Sequence, residues 1–201
     1  MKQYDRAYFD HWYRGEQVRP RAALARRVHL ALAAAEYALG RPVRRVLDVG
    51  CGEGEWGVVL RALRPKVRYL GIDPSGYAIA RFGARRGLVP GDFGSLDALR
   101  REKPYDLVVC ADVLHYVSDG EIERGAPALA SLTGGVAWLE TFTRDDRVEG
   151  DRRGFIRRAP AYYARALRRA GFTRLGLHCW AGPALAGAFA ALERAEGRAP
   201  A

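Results

Sequence analysis

Residues 46–57 read Val46-Leu47-Asp48-Val49-Gly50-Cys51-Gly52-Glu53-Gly54-Glu55-Trp56-Gly57, and this stretch decides the fold of the chain. An apolar run typical of a buried strand leads into three glycines at alternate positions, and residues that favour a helix follow. Glycine lets the backbone turn tightly and lets a ligand approach the main chain closely. A strand, a glycine loop and a helix in this order are typical of a binding site for a nucleotide-like ligand.

Short apolar runs alternate with helical patterns on both sides of this loop. The strands are predicted over residues 43–49, 67–72, 88–90, 106–111, 135–141 and 173–180, and the helices over 20–39, 53–63, 76–86, 119–131 and 161–170. Residues 184–194 fit either a seventh strand or a helix. The alternation predicts an α/β, doubly wound and mostly parallel sheet flanked by helices. Ligands of such sheets bind beyond the carboxyl ends of the strands.

The composition is that of an ordinary globular domain. The chain has 201 residues, of which 49% are hydrophobic and 28% are charged. We expect one domain over residues 1–201, with a helical cap or lid over 1–40 and an α/β core over 41–201. No apolar run approaches the ~20 residues of a membrane span, and residues 1–6 lack the apolar region of a signal peptide, so we expect a cytoplasmic location.

The cysteines do not indicate a special chemistry. Cys51, Cys110 and Cys179 are an odd and scattered set without a CxxC spacing. Neither a disulfide framework nor a zinc site is indicated, and no other cluster of metal ligands stands out. We therefore expect reduced thiols and no metal. The sequence does not indicate an oligomeric state.

The chain is strongly basic, with a formal net charge of +10. Its 33 basic residues include only three lysines, Lys2, Lys66 and Lys103, which leaves 30 arginines. A basic chain invites a nucleic-acid or other anionic partner. The arginines, however, are spread along the chain rather than gathered in one tail, and an abundance of arginine and alanine also fits a GC-rich coding bias.

Charge helps to choose between two ligands for the glycine loop. Residues 52–57 fit the Gly-x-Gly-x-x-Gly dinucleotide pattern literally, which would place a pyrophosphate at the start of the helix. Yet Asp48, Glu53 and Glu55 lie in or beside the loop. Two unit charges at about 4 Å interact by roughly 4 kcal/mol at an effective dielectric near 20, so a pyrophosphate would be repelled. S-adenosylmethionine carries a sulfonium and an ammonium group and no phosphate, and it suits this loop.

Two further carboxylates follow later strands. Asp73 ends the second predicted strand, 21 residues after Gly52, where an acid can accept hydrogen bonds from both hydroxyls of a ribose. Asp92 follows the third strand, where a carboxylate can accept the adenine amino proton while the backbone of Phe93 serves the neighbouring ring nitrogen. A single aspartate after a strand is more often a turn or cap residue. Three in register with the glycine loop favour a shared site.

These features together resemble the class I (Rossmann-like) S-adenosylmethionine-dependent methyltransferases. The resemblance rests on residues 46–54, on Asp73, on Gly91-Asp92 and on the run from Tyr105 to Val117, and it covers about residues 43–180. It implies a methyltransferase that uses S-adenosyl-L-methionine and a seven-stranded sheet whose last strand is antiparallel. On that pattern residues 184–194 would be the last strand.

The resemblance also implies a set of cofactor-binding residues. Asp48 and the backbone of the glycine loop would hold the methionine moiety, Asp73 the ribose and Asp92 the adenine. Ala111 and Asp112 would lie after the fourth strand, between the cofactor and the substrate mouth. The full set of candidates is Asp48, Gly50, Cys51, Gly52, Gly54, Asp73, Pro74, Asp92, Phe93, Ala111 and Asp112.

Methyl transfer depends mainly on holding the nucleophile, the methyl group and the sulfur in line, and a general base is needed only if the acceptor must lose a proton. His115 is the candidate base, because it follows the fourth strand and an unperturbed histidine titrates near pH 6.5. Packing of the ring or capping of the next helix is the plainer alternative. The candidate substrate residues are Tyr8, Trp12, Tyr116, Glu140 and Tyr163.

Each substrate candidate has a plainer alternative too. Tyr8 and Trp12 lie one helical turn apart in an aromatic N-terminal stretch, which fits either a lid over the ligands or a helix that simply packs on the core. Glu140 ends the fifth strand and fits either an acceptor contact or an ion pair with an arginine. The charged stretch 144–160 fits a substrate loop that grips an anion, or a solvated loop.

The sequence thus predicts an S-adenosylmethionine-dependent methyltransferase that acts on an oxygen or nitrogen atom of a small molecule. An RNA methyltransferase is the alternative that the net charge of +10 supports. A nicotinamide-dependent oxidoreductase and a non-catalytic cofactor-binding protein are less favoured. No membrane partner is expected.

Overall fold

The computed structural model describes residues 4–14, 21–100, 102–148 and 151–189. The strands are β1 (Arg45–Val49), β2 (Arg68–Asp73), β3 (Leu88–Pro90), β4 (Tyr105–Ala111), β5 (Thr133–Glu140), β6 (Thr173–Gly176) and β7 (Cys179–Ala181). The α-helices are α1 (Arg6–Arg14), α2 (Arg21–Leu39), α3 (Glu55–Leu63), α4 (Gly76–Arg86), α5 (Asp119–Leu132) and α6 (Pro160–Arg169). Short 3₁₀ helices span Phe93–Leu99, Leu114–Tyr116 and Pro183–Phe189.

The strands form one seven-stranded sheet in the order β3-β2-β1-β4-β5-β7-β6. The pairs β1–β2, β1–β4, β2–β3 and β4–β5 are parallel, and β7 runs antiparallel to both of its neighbours. The doubly wound, mostly parallel sheet with one antiparallel strand is therefore confirmed. The first five predicted strands end within a residue or two of the observed ones.

The carboxyl-terminal part of the sheet differs from the prediction. Residues 173–180 were expected as one strand, but they form most of an antiparallel hairpin between β6 and β7. The chain reverses at Leu177 and His178, whose φ angles of 48° and 65° both lie in the left-handed region. A two-residue turn with positive φ at both positions joins antiparallel strands tightly, and it usually carries Asn-Gly rather than Leu-His.

This hairpin also corrects the position of the antiparallel strand. The expectation that residues 184–194 form it is wrong, because β7 ends at Ala181. Pro183–Phe189 forms a 3₁₀ helix instead, and residues 190–194 lie outside the described residues.

Both faces of the sheet are buried, which explains why its central strands read as continuous apolar runs. Successive residues of a strand point to opposite faces. In β4, Leu107 and Val109 pack with α2 and α3 on one face, whereas Val108 and Cys110 pack with α5 and α6 on the other. The strand ends are thereby held rigidly, and the loops that follow them are placed along one edge of the sheet.

Candidate functional site

A cavity of about 1460 Å³ opens at the carboxyl ends of β1, β2 and β4. The chain leaves β1 toward β2 on one side, while β4 lies on the other side, so the cavity sits at the switch point where ligands of such sheets bind. Most of the sequence-predicted site residues line this cleft: Tyr8, Trp12, Asp48, Gly50, Cys51, Gly52, Asp73, Pro74, Asp92, Phe93, Ala111, Asp112, His115 and Tyr116. The cleft does not include Gly54, Glu140 or Tyr163 among its lining residues.

The glycine loop turns over the end of β2. The N–H groups of Gly50 and Cys51 both donate to the carbonyl of Ile72, at 2.8 and 3.1 Å. Gly50 and Gly52 have φ angles of 72° and 55°, which L-residues with side chains rarely adopt. A Cβ at Gly52 would lie 2.4 Å from the hydroxyl of Tyr13. The loop therefore requires glycine both for its backbone and for the close approach of α1.

Asp73 joins the end of β2 to the glycine loop. Its Oδ2 accepts the N–H of Gly52 at 2.7 Å, and its Oδ1 accepts the N–H of Ser75 at 2.9 Å. Burial raises the pKa of this carboxyl, although the two backbone hydrogen bonds oppose that effect. Each carboxylate oxygen has about two acceptor positions, so Asp73 keeps the capacity to bind hydroxyls of a ligand in the cleft.

Asp48 lies beneath the loop. It is buried and accepts a 2.6 Å hydrogen bond from the hydroxyl of Tyr69. Burial raises its pKa to about 7, the Tyr69 hydrogen bond partly opposes this, and the charge of Asp73 adds to the rise. Asp48 therefore supports the loop as a group that gains or loses its proton near neutral pH.

The acidic residues of the loop are less repulsive to anions than the sequence indicates. Arg14 pairs with Glu53 at 2.6 Å, and Arg86 pairs with Glu55 at 2.5 Å. The negative lining of this end of the cleft therefore rests on Asp48 and on neighbouring carboxylates rather than on the two glutamates. A pyrophosphate would therefore meet less repulsion from Glu53 and Glu55 than two unpaired carboxylates would exert.

Asp92 occupies the mouth of the cleft and caps the 3₁₀ helix Phe93–Leu99. Its Oδ1 accepts the N–H of Ser95 at 2.8 Å, and the Ser95 hydroxyl accepts the N–H of Asp92 at 2.9 Å. This reciprocal pair is a capping box, so the plainer reading of Asp92 as a cap is observed. The side chain is exposed toward the cleft that Phe93 also lines, and capping uses one of its two oxygens.

The turn after β4 brings Asp112 and Val113 against the glycine loop. Asp112 has a φ angle of 60°, and its N–H donates to the carbonyl of Glu140 at 2.8 Å. A Cβ at Gly50 would lie 2.3 Å from Cγ2 of Val113. The left-handed residue therefore turns the chain so that Val113 packs on the first glycine and His115 follows toward the cleft.

His115 lines the cleft but is only 1% exposed. Its Nδ1 lies 3.1 Å from Oγ1 of Thr141 and accepts the N–H of Phe142 at 3.4 Å. The rings of Phe142 and Phe155 meet it edge to face, with centroids 5.5 and 5.4 Å away. Because a backbone N–H can only donate, the neutral ring carries its proton on Nε2. The imidazole is thus oriented by the loop after β5.

Glu140 and Tyr163 serve other contacts. Glu140 pairs with Arg27 at 3.2 Å and accepts a hydrogen bond from Nε1 of Trp138. The ring of Tyr163 is buried on α6, and its hydroxyl accepts from Arg158 at 3.4 Å. The structure therefore gives no support to a substrate contact by either residue.

Helix α1 covers the cleft at the glycine loop. The backbone carbonyl of Tyr4 accepts a 2.5 Å hydrogen bond from Ser75, and the buried ring of Phe9 stacks on Tyr77 at 5.6 Å. Burial raises the pKa of Tyr8, and Tyr116 on the far wall adds to that rise. The aromatic stretch is thus both packed on the core and part of the cleft wall, and sequence reasoning missed the contact of Tyr13 with Gly52.

Two features expected from the sequence concern metals and membranes. Over the ranges that the structure describes, no group of three or more histidine, cysteine, aspartate or glutamate side chains converges to hold a metal ion. In the same ranges no helix combines the length and the apolar character needed to cross a bilayer. The three cysteines are buried and free.

Comparison with known proteins places the chain among methyltransferases. A family model described as "Methyltransferase domain" matches residues 14–189. A ubiquinone biosynthesis O-methyltransferase of Xanthomonas campestris pv. campestris (strain B100) is 33% identical in an alignment of 121 residues, and the match covers 58% of this chain and 50% of the relative. The chain thus spans about half the length of the curated relatives that it matches.

Solved structures share the fold. A sugar N-methyltransferase from Streptoalloteichus sp ATCC 53650 superimposes with a TM-score of 0.63 at 21% identity, over 82% of this chain and 84% of that one. A SAM dependent methyltransferase from Archaeoglobus fulgidus superimposes with a TM-score of 0.61 at 18% identity, over 82% and 73% of the two chains.

Proposed function

The chain belongs to the family of methyltransferase domains, and from this premise we propose that it transfers the methyl group of S-adenosylmethionine to an oxygen or nitrogen atom of a small molecule. The observation that carries the proposal is the hydrogen bond from the Gly52 N–H to the Asp73 carboxylate, 2.7 Å long, at the switch point of the sheet. This hydrogen bond holds the glycine loop beside the buried carboxylate of Asp73, so that both line the same cleft.

The residues present fit this cofactor. Gly50 and Gly52 line the cleft, and their left-handed backbone, packed against Val113 and Tyr13, forms the turn at the switch point where the ligand would lie. Asp73 has remaining acceptor positions for ribose hydroxyls, and Asp92 has a second oxygen for an adenine amino group. When bound, the cofactor supplies a methyl group already activated on a positively charged sulfur.

The chain itself contributes position and shielding. Helix α1 and the loop after β5 wall the cleft, and the rings of Tyr8, Trp12 and Phe142 face it, so water is displaced around the reacting atoms. Aromatic faces also stabilise a nearby cation. His115 lines the cleft with its tautomer fixed by Phe142. The neutral ring donates from Nε2, and it accepts a proton only at Nδ1, which faces Thr141 and Phe142.

Support for a small acceptor comes from this enclosure. The cavity has a volume of about 1460 Å³ and is lined by α1 and by the loop after β5. It suits a cofactor and a compact molecule rather than a double-stranded nucleic acid. The curated relative that the chain resembles is named as an O-methyltransferase of ubiquinone biosynthesis. The net charge of +10 keeps RNA as the second candidate, and a steep fall of RNA affinity with salt would favour it.

The test of the cofactor assignment is calorimetric titration with S-adenosylhomocysteine. We expect D73A to weaken binding by about 1–3 kcal/mol, because the carboxylate provides charge-assisted hydrogen bonds to the ligand and to the N–H of Gly52. D97A is the matched control, since Asp97 is exposed in the 3₁₀ helix and pairs with Arg100. Equal affinity of D73A and wild type contradicts the ribose assignment, and no binding by wild type refutes the proposed function.

A further inference from the structure

The outer end of the cleft is positively charged. Arg147 and Arg152 line both the main cavity and an adjoining cavity of about 370 Å³, and Arg157 lines the adjoining one. All three side chains are exposed. These three residues, the outer arginines, lie on the loop between β5 and α6, and Asp48 and Asp73 line the main cavity from β1 and β2.

The outer arginines differ in their partners from three other arginines of the cleft, whereas Arg81, which also lines it, bonds to the Tyr77 hydroxyl and forms no ion pair within the described residues. Arg14, Arg27 and Arg86 each pair with a carboxylate of this chain. Within the part of the chain that the structure describes, the outer arginines form no ion pair.

Asp146 is the acid that shares the adjoining cavity. Its Oδ2 already accepts from both the N–H and the hydroxyl of Thr143, each at 2.7 Å. Those bonds hold the carboxylate back on its own turn. The adjoining cavity is lined by three arginines and this one carboxylate, so its lining carries a net positive charge.

The carboxyl-terminal part of this loop, residues 156–158, is anchored to the core. Arg158 is buried and bonds to Asp119 and to the carbonyl of Val117, both at 2.8 Å. The N–H of Ile156 donates to the carbonyl of His115 at 2.8 Å. The guanidinium of Arg157 is itself held by the carbonyl of Arg144 at 3.2 Å. The end of the loop that carries Arg157 thus has a fixed place relative to the sheet.

The adjoining cavity lies on the acceptor side of the cleft. Phe155 lines it, and the ring of Phe155 is 5.4 Å from the ring of His115, which lines the main cavity. Tyr116, next to His115, donates its hydroxyl to the carbonyl of Asp151 in the same loop. A molecule whose reacting atom lies near His115 can therefore reach the outer arginines with its far end.

We propose that the methyl acceptor carries an anionic group, a carboxylate or a phosphate, and that Arg147, Arg152 and Arg157 bind it. A guanidinium presents two parallel N–H groups that match either anion, and several of them together neutralise its charge. The proposal rests on the proposed function, because it concerns the acceptor of that same reaction.

Side-chain NMR of protein labelled with ¹⁵N-arginine tests the proposal without knowledge of the acceptor. The protein is saturated with S-adenosylhomocysteine, and inorganic phosphate replaces chloride at constant ionic strength. We expect saturable shifts of the Nε–H signals of the outer arginines and none at Arg165, an exposed residue of α6 outside the cleft. Linear shifts of equal size at all four would show a general salt effect and overturn the proposal.

A matched ligand pair then tests the charge itself. Benzoate and its neutral amide differ in charge and little in shape, and we expect benzoate to bind at least about tenfold more tightly, because a charged hydrogen-bonded pair stabilises by about 1.5–3 kcal/mol. R147Q/R152Q/R157Q should abolish the preference, whereas R165Q should keep it. Equal affinities for the pair overturn the proposal, and phenyl phosphate in place of benzoate tells which anion is preferred.

Two controls separate the possible failures. Calorimetry with S-adenosylhomocysteine on the same samples measures binding at the cofactor site. A loss of that binding would contradict the proposed function and not only the anion site. A short single-stranded RNA that displaces phosphate from the outer arginines with a steep salt dependence would assign them to RNA and overturn the small-molecule acceptor.

Discussion

Replacement of Asp48 by asparagine should change how the stability of this protein depends on pH. Asp48 is buried beneath the glycine loop and shares a 2.6 Å hydrogen bond with Tyr69. Burial raises its pKa from 3.8 to about 7. A raised pKa means that the folded state holds the proton more tightly than the unfolded state, so this group stabilises the fold at low pH and the contribution is lost as pH rises through 7.

The size of the effect follows from that shift. A pKa shift of about three units, at about 1.36 kcal/mol each, lowers the contribution of Asp48 to the free energy of unfolding by roughly 4 kcal/mol between pH 4 and pH 8. About 2–3 kcal/mol of this loss falls between pH 5 and pH 8. Asparagine keeps an oxygen that accepts the Tyr69 hydroxyl but does not titrate. The stability of D48N relative to wild type should therefore rise by that amount as the pH is raised.

Urea unfolding followed by circular dichroism at pH 5, 6, 7 and 8 measures this difference. Asp106 provides a control of opposite sign. Burial raises its pKa, but the Arg41 guanidinium and the N–H groups of Arg44 and Arg45 outweigh burial and hold that pKa below its usual value. D106N should therefore lose stability relative to wild type at neutral pH and recover as the pH falls below 4. A stability difference between D48N and wild type that stays constant from pH 5 to 8 would refute the reasoning.

Two further substitutions probe the cleft. In G52A, the new Cβ would lie 2.4 Å from the hydroxyl of Tyr13, on a backbone whose φ is 55°. We therefore expect calorimetry to show at least a tenfold loss of affinity for S-adenosylhomocysteine. Unchanged binding would show that α1 and the loop are not packed as described. H115A should lower turnover much more than cofactor affinity, because the ring lies at the acceptor side of the cleft. H29A, on the exposed face of α2, should change neither turnover nor cofactor affinity. Equal turnover of H115A and wild type would make His115 a packing residue.

The sequence predicts most of the fold because its signals are local. The apolar run before Gly50 and the glycines after it fix a strand and a tight loop, and these are properties of neighbouring residues. The hairpin at Leu177 and His178 was missed for the same reason. Its two left-handed residues are not the types that favour such turns, so nothing local indicated that the chain reverses there.

Contacts between distant residues were the harder part. The pairing of Arg14 with Glu53 and of Arg86 with Glu55 joins different elements, and an excess of 30 arginines does not tell which of them meets which acid. The choice for Glu140 between an acceptor contact and an ion pair likewise needed the position of Arg27 on α2. The cleft residues, by contrast, follow strand ends, and parallel strands bring their carboxyl ends to one edge.

The hairpin has a consequence for how the chain is made. Strand β5 is apolar along its centre. One of its edges pairs with β4, and the other pairs with β7, which is among the last elements along the described chain. Until Cys179–Ala181 has left the ribosome, the nascent protein presents that edge without its cover, and open apolar strand edges are templates for aggregation. A shortened product that stops before Cys179 would thus keep its glycine loop and most of its helices, and yet would be prone to self-association.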